Sequence, residues 1–194
     1  KGIYHYKKAL EYCSKIKDTS NMVFTKINMA WAFFDIQKFD EGYPYLQFVN
    51  DNFSKHGDTS LKCISSMLNG MYLSYKKETK KATTFFENAI KYGIDLLLAE
   101  KVLAIFPEGT RSKNGQLGKA EPGALMMAGK ARAVIIPTAV SGTNLRSSGR
   151  IWPKVKVKFG KPIYFLEDEP VTKEVTIRMT GELMNEIKML LDDN

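Results

Sequence analysis

A chain of 194 residues and 22.0 kDa has room for one generous domain or two small ones, and at 44% hydrophobic and 26% charged residues it can bury a core. Its net charge of +8 and pI near 9.3 favour anionic partners such as phosphate esters, nucleic acid or an acidic lipid leaflet. Cys13 and Cys63 are the only cysteines, too few for a disulfide framework or a metal site, and no apolar run approaches the length of a membrane span. The expectation is a cytoplasmic protein with two reduced core thiols and no metal, soluble or peripheral to a membrane.

Up to about residue 95 the chain carries fourteen Lys and no Arg, seventeen of the 22 aromatic residues and one Pro, Pro44. The remainder has five Arg, five aromatics and six Pro, so two units with different rules are expected, 1–95 and 96–194. The first shows helical periodicity and an internal echo. Ala30, Phe33, Gly42, Leu46 and Val49 are matched by Gly70, Leu73, Ala82, Phe86 and Ala89 at the same spacings of 3, 9, 4 and 3, and Tyr6, Leu10 and Cys13 form a partial third copy. Small residues at the first and third places let antiparallel helices approach closely. Turn signals at 17–20 (KDTS), 37–40 (QKFD), 56–58 (HGD) and 76–79 (KKET) separate the helices. The pattern resembles a tetratricopeptide-type helical repeat, with longer loops and without the full consensus. That resemblance implies a peptide or protein as ligand of residues 1–95.

The second unit changes period. Residues 102–106 (VLAIF) read as a short buried strand, Pro122 opens a helix running to about Ala131, and 133–140 (AVIIPTAV) reads as a second buried strand. In 154–159 (KVKVKF) Val155, Val157 and Phe159 alternate with three lysines, which predicts a strand with the apolar side chains inward and a cationic outer face. Val175, Met179, Leu183, Ile187 and Leu190 then mark one side of a closing helix from about Thr172. The expected fold class is therefore an α/β C-terminal half, a partial sheet with helices, preceded by an all-α helical-repeat half.

Between the first of these strands and the first helix lies IFPEGTRSK, residues 105–113. Ligands of open α/β sheets bind beyond the carboxyl ends of strands, where this segment sits. Pro107 stiffens the exit and Gly109 permits a tight turn. Arg111 offers a planar fork of donors suited to a phosphate, and Thr110, Ser112 and backbone N–H groups can add neutral hydrogen bonds. Glu108 would either hold Arg111 or accept from a substrate hydroxyl. Residues 99–161 hold twelve Lys or Arg against three acids, so the basic charge surrounds this stretch. For an isolated Glu-Gly-Thr-Arg, a surface turn with an incidental ion pair is the commoner meaning.

The whole string points further. IFPEGTRS, followed after a helix by IIPTAVSGT, closely resembles the third and fourth signature blocks of the glycerolipid acyltransferase family, of bacterial 1-acyl-sn-glycerol-3-phosphate acyltransferase type, and KVKVKFGKPIYF follows in the right order. The resemblance covers about 96–191. It implies that Glu108, Gly109 and Arg111, with Thr110 and Ser112 nearby, bind the phosphate of lysophosphatidate or a similar glycerol phosphate, and that Pro137 shapes the substrate cleft. It implies no cofactor, only an acyl thioester donor, acyl-CoA or acyl-carrier protein. Lys119 and Lys130 are weaker phosphate candidates. Arg146, Arg150 and the lysines of 154–158 suit an anionic membrane surface, on the inner face of the membrane. Nucleic acid is not an expected partner, because no recognised reading element accompanies the charge.

The family's chemistry needs a His, with an Asp five positions later, to take the proton from the acceptor hydroxyl. The chain has two His, and five residues beyond His5 and His56 stand Leu10 and Leu61. No catalytic residue is therefore assigned. The chain also begins at Lys1 without Met, as a fragment or a trimmed start would. Two expectations stay open: a truncated or chimeric form of a phospholipid-synthesising acyltransferase, or a non-enzymatic helical-repeat binding module joined to a degenerate phosphate-binding half-domain.

Overall fold

The computed structural model describes residues 2–52, 58–109, 116–142, 154–166 and 168–192. The chain divides into two compact units, Lys1–Leu96 and Leu97–Asn194.

The first unit is built from α1 (Gly2–Lys15), α2 (Thr19–Asp35), α3 (Phe39–Asn52), α4 (Thr59–Tyr75) and α5 (Thr79–Leu98), the last of which runs to the unit boundary. The starts of α2 to α5 are evenly spaced along the chain. Three of the predicted turns close in the same way. Lys17, Gln37 and Lys77 adopt left-handed backbone, and the next residue donates its N–H six residues back: Asp18 to Cys13, Lys38 to Phe33 and Glu78 to Leu73, each at 2.9 Å. This C-terminal cap satisfies carbonyls that the helix end would otherwise orphan. Asp18 and Asp58 then cap the following helices, accepting from the N–H of Asn21 and Ser60 respectively, each at 3.0 Å.

Packing follows the echo read from the sequence. Ala30, Phe33, Leu46 and Val49 are buried with Val23, Ile27, Phe34, Leu61 and Leu68 in one core. Gly42 and Gly70 are buried as well, and a Cβ on Gly42 would come within 2.8 Å of the Phe34 ring, so α2 and α3 touch where side chain is absent. Of the second set Ala82 is buried, Leu73 and Ala89 are half-buried, and Phe86 lies at the surface. Asn50, Ser65 and Asn69 hydrogen-bond one another between α3 and α4.

The second unit holds α6 (Gly123–Ala131), β1 (Thr138–Ser141), β2 (Lys156–Phe159) and α7 (Lys173–Asp192). β1 and β2 pair antiparallel with Val140 opposite Val157 and Ala139 opposite Lys158, and an isolated bridge joins Ile135 to Ile163. Leu125, Ala128, Ala139, Phe165, Met179, Leu183 and Ile187 form its core. Arg132 ends α6 in left-handed backbone and its guanidinium donates to the Leu166 and Glu169 carbonyls at 2.6 and 3.1 Å, tying the chain after β2 to the end of α6.

Three expectations are corrected. Residues 102–106 form no strand: Val102 is 98% and Phe106 79% exposed, and among the described residues no neighbouring strand pairs with the segment. Apolar composition favours a strand, but an extended segment stays one only where a partner takes its N–H and C=O groups. Of 133–140 only the last part is strand, and it is covered on one face. Side chains directly opposite in an antiparallel pair share a face, and Ala139 with Lys158 takes the face that meets α7. Val140, Val155, Val157 and Phe159 consequently face outward, the reverse of the arrangement read from the KVKVKF alternation. The expected partial acyltransferase-type sheet is, among the described residues, a two-stranded antiparallel one in a mostly helical chain.

Candidate functional site

The EGTR segment follows a turn in which Gly109 donates its N–H to the Phe106 carbonyl at 3.1 Å. Gly109 has φ +66°, a backbone state that a side chain would strain, which accounts for glycine at this place. Pro107, lacking an N–H, still accepts through its carbonyl from the N–H of Glu121 at 2.9 Å. Glu108 is half-buried, and its Oε2 accepts from the N–H of Gly118 at 2.5 Å. Residues 107–108 and 118–121 are thus tied by two bonds. The far side is anchored: Ala120 is buried, and Leu117 packs on the core of the second unit.

Thr110, Arg111 and Ser112 lie outside the described residues, as do Arg146, Arg150 and His56. Lys119 is exposed beside a cleft of about 390 Å³, which has Ala120 and Pro122 on one side and Ile177, Gly181 and Met184 on the other. Lys130 is exposed in the last turn of α6. Pro137 is fully buried, its Cβ standing 3.2 Å from where a Cβ on Gly160 would be, and its carbonyl accepts from the Gly160 N–H at 2.8 Å. It lines neither the cleft beside Lys119 nor the one formed by Phe159, Gly160, Lys161 and Leu190.

His5 is exposed on α1 with the Tyr4 ring edge-on at 5.5 Å, and no acid stands five residues after it. Among the described residues no three His, Cys, Asp or Glu gather as a metal site would require, and no helix is long and apolar enough to cross a membrane. Burial raises the Cys63 thiol above its ordinary value, which disfavours the reactive thiolate, and its Sγ lies 3.3 Å from the Ala89 carbonyl. Burial also lowers Lys26, whose ammonium sits 3.5 Å from the centre of the Phe48 ring.

The sequence reading missed Gly118 as the partner of Glu108. A glycine in a polar loop carries no signal of what its N–H will meet, and only the fold brings these residues together.

Residues 55–141 match the model of the family described as Acyltransferase, a span that begins within the helical unit and ends with β1. Over 87 residues the chain is 33% identical to the chloroplastic 1-acyl-sn-glycerol-3-phosphate acyltransferase LPAT1 of Arabidopsis thaliana, a stretch covering 40% of this chain and 23% of the relative. The chloroplastic 1-acyl-sn-glycerol-3-phosphate acyltransferase BAT2 of Brassica napus is 33% identical over 87 residues as well, covering 40% and 24% respectively. The chain therefore spans about a quarter of the length of these relatives. No solved structure matches.

Proposed function

We propose that this chain carries the acceptor-phosphate grip of an acyltransferase-family protein of phospholipid biosynthesis, whose parent reaction moves a fatty acyl group from a thioester to 1-acylglycerol-3-phosphate. The observation that carries this reading is the family match across 55–141, which contains the EGTR segment. Within it Arg111 is the primary phosphate ligand, suited by its fork of donors, with Thr110, Ser112 and the Gly109 turn beside it. The Pro137 carbonyl and ring fix the strand entry, supporting the substrate cleft from inside. The exposed apolar face of Val140, Val157 and Phe159, next to Lys154 and Lys161, favours an anionic membrane surface as the place where a lipid acceptor is met.

Proton removal from the acceptor hydroxyl needs a positioned base, typically worth about a hundred- to ten-thousand-fold in rate. Neither His5 nor His56 has an Asp five positions on. The chain as given binds the phosphate ester and does not transfer acyl groups at an enzymatic rate. The test is equilibrium binding of lysophosphatidate to the chain and to Arg111→Ala. Loss of most affinity in the variant supports the assignment; equal binding by both contradicts it.

A second reading concerns the helical unit. Evenly spaced helix starts and the surface aromatics Tyr4, Tyr12, Phe24 and Trp31 favour recognition of a peptide or protein by residues 1–95, in the manner of a tetratricopeptide-type array.

A further inference from the structure

The carboxylate of Glu108 is engaged within the chain. Its Oε2 accepts from Gly118 N at 2.5 Å, ten residues away, and the Glu121 N–H to Pro107 carbonyl bond lies beside it. The identity of residue 118 matters to this contact. A Cβ on Gly118 would stand 2.6 Å from Glu108 Oε2 and meet only Glu108 atoms within 4 Å. Any side chain there displaces the carboxylate, and because the obstacle is the free end of a side chain the backbone need not move.

We infer that Glu108 is a positioning residue: it does not bind the substrate but closes the loop between 108 and 118 by holding the Gly118 N–H. The inference rests on the reading that Arg111, within that loop in sequence, grips a phosphate. Joining the loop ends in advance removes part of the ordering cost that anion binding would otherwise meet. It also explains how an acid can stand three residues from a phosphate ligand without opposing the phosphate, since a backbone donor takes up its charge.

The experiment measures the affinity for sn-glycerol 3-phosphate by calorimetry and the Gly118 amide resonance by ¹⁵N–¹H correlation spectroscopy. The proteins are the wild-type chain, Glu108→Ala, Glu108→Gln, Gly118→Ala and the Glu108→Ala/Gly118→Ala double variant. Glu108→Ala and Gly118→Ala should each weaken binding roughly three- to tenfold, as loss of one hydrogen bond does. The double variant should bind no worse than the weaker single one, because both remove the same contact. Glu108→Gln keeps an oxygen that accepts from Gly118 and should stay within about twofold of wild type. The Gly118 proton should move upfield in Glu108→Ala and hold its place in Glu108→Gln. Unchanged binding by Gly118→Ala alongside a loss in Glu108→Ala would overturn the inference, since Glu108 would then act on the ligand directly. So would a Gly118 resonance indifferent to Glu108→Ala. Absence of glycerol phosphate binding by the wild-type chain would overturn the phosphate reading and the positioning role with it, while the amide resonance would still decide whether the contact exists.

Discussion

Gly42 faces Phe34 so closely that a Cβ on the glycine would lie 2.8 Å from two ring carbons and 2.9 Å from Phe33 Cβ. Both aromatic residues are buried in the α2–α3 core and cannot swing into solvent. Gly42→Ala should therefore destabilise the helical unit despite the better helix propensity of alanine, by about 1 to 3 kcal/mol as overpacking does. Urea denaturation followed by circular dichroism measures it, and a stabilised variant would contradict the close crossing.

Asp40, in the first turn of α3, meets the Lys76 ammonium at 2.6 Å and accepts from the Tyr75 hydroxyl at 3.0 Å. Those contacts, Lys76 first, hold its carboxyl below the ordinary value, and Asp40 in turn raises Lys76. A carboxyl depressed in the folded state stabilises above its unfolded value, and the contribution is lost as pH falls through the folded one. Asp40→Asn should lower Tm slightly at neutral pH, with a gap that closes on acidification below the ordinary carboxylate range. Since both groups are exposed, added salt should narrow the gap too. A gap that is independent of pH and salt would assign the effect to packing instead.

Asn69, 9% exposed, donates to the Asn50 side chain and to the Ser65 carbonyl, and Ser65 Oγ donates to Asn50 at 2.8 Å. Asn69→Ala leaves polar partners in a largely buried place, with an expected cost of about 1 to 2 kcal/mol. In Asn69→Ala/Asn50→Ala the two losses should be less than additive, which a double-mutant cycle on thermal unfolding reads directly.

Phe159 is 70% exposed on the outer face of the small sheet. Phe159→Ser should change stability by no more than about 0.5 kcal/mol, as surface substitutions do. The inward arrangement read from the KVKVKF alternation would instead make loss of the ring cost about 3 to 5 kcal/mol, as for a core phenylalanine. Guanidinium denaturation separates the two.

What the sequence made legible was local. Small residues at Gly42, Gly70 and Ala82, turn strings before Thr19, Phe39 and Thr79, and the stripe of Met179, Leu183 and Ile187 each describe contacts a helix makes through its own periodicity. The strands were less legible because their state depends on partners elsewhere in the chain. Residues 102–106 have strand composition and no ladder, and the alternation in 154–159 fixes two faces without saying which one meets α7. Around the candidate site the chemistry of Arg111 was visible as a residue type in a motif. The Glu108 contact with Gly118 was not, since it joins two loop positions through a backbone N–H that has no sequence signature.

The central claim is a phosphate grip without the base that would work beside it. Its most direct test incubates the chain with lysophosphatidate and an acyl-CoA and follows phosphatidate formation alongside saturable lysophosphatidate binding. The account predicts binding with no acylation above the uncatalysed rate. Thioester-dependent acylation of lysophosphatidate that disappears in Arg111→Ala would contradict it.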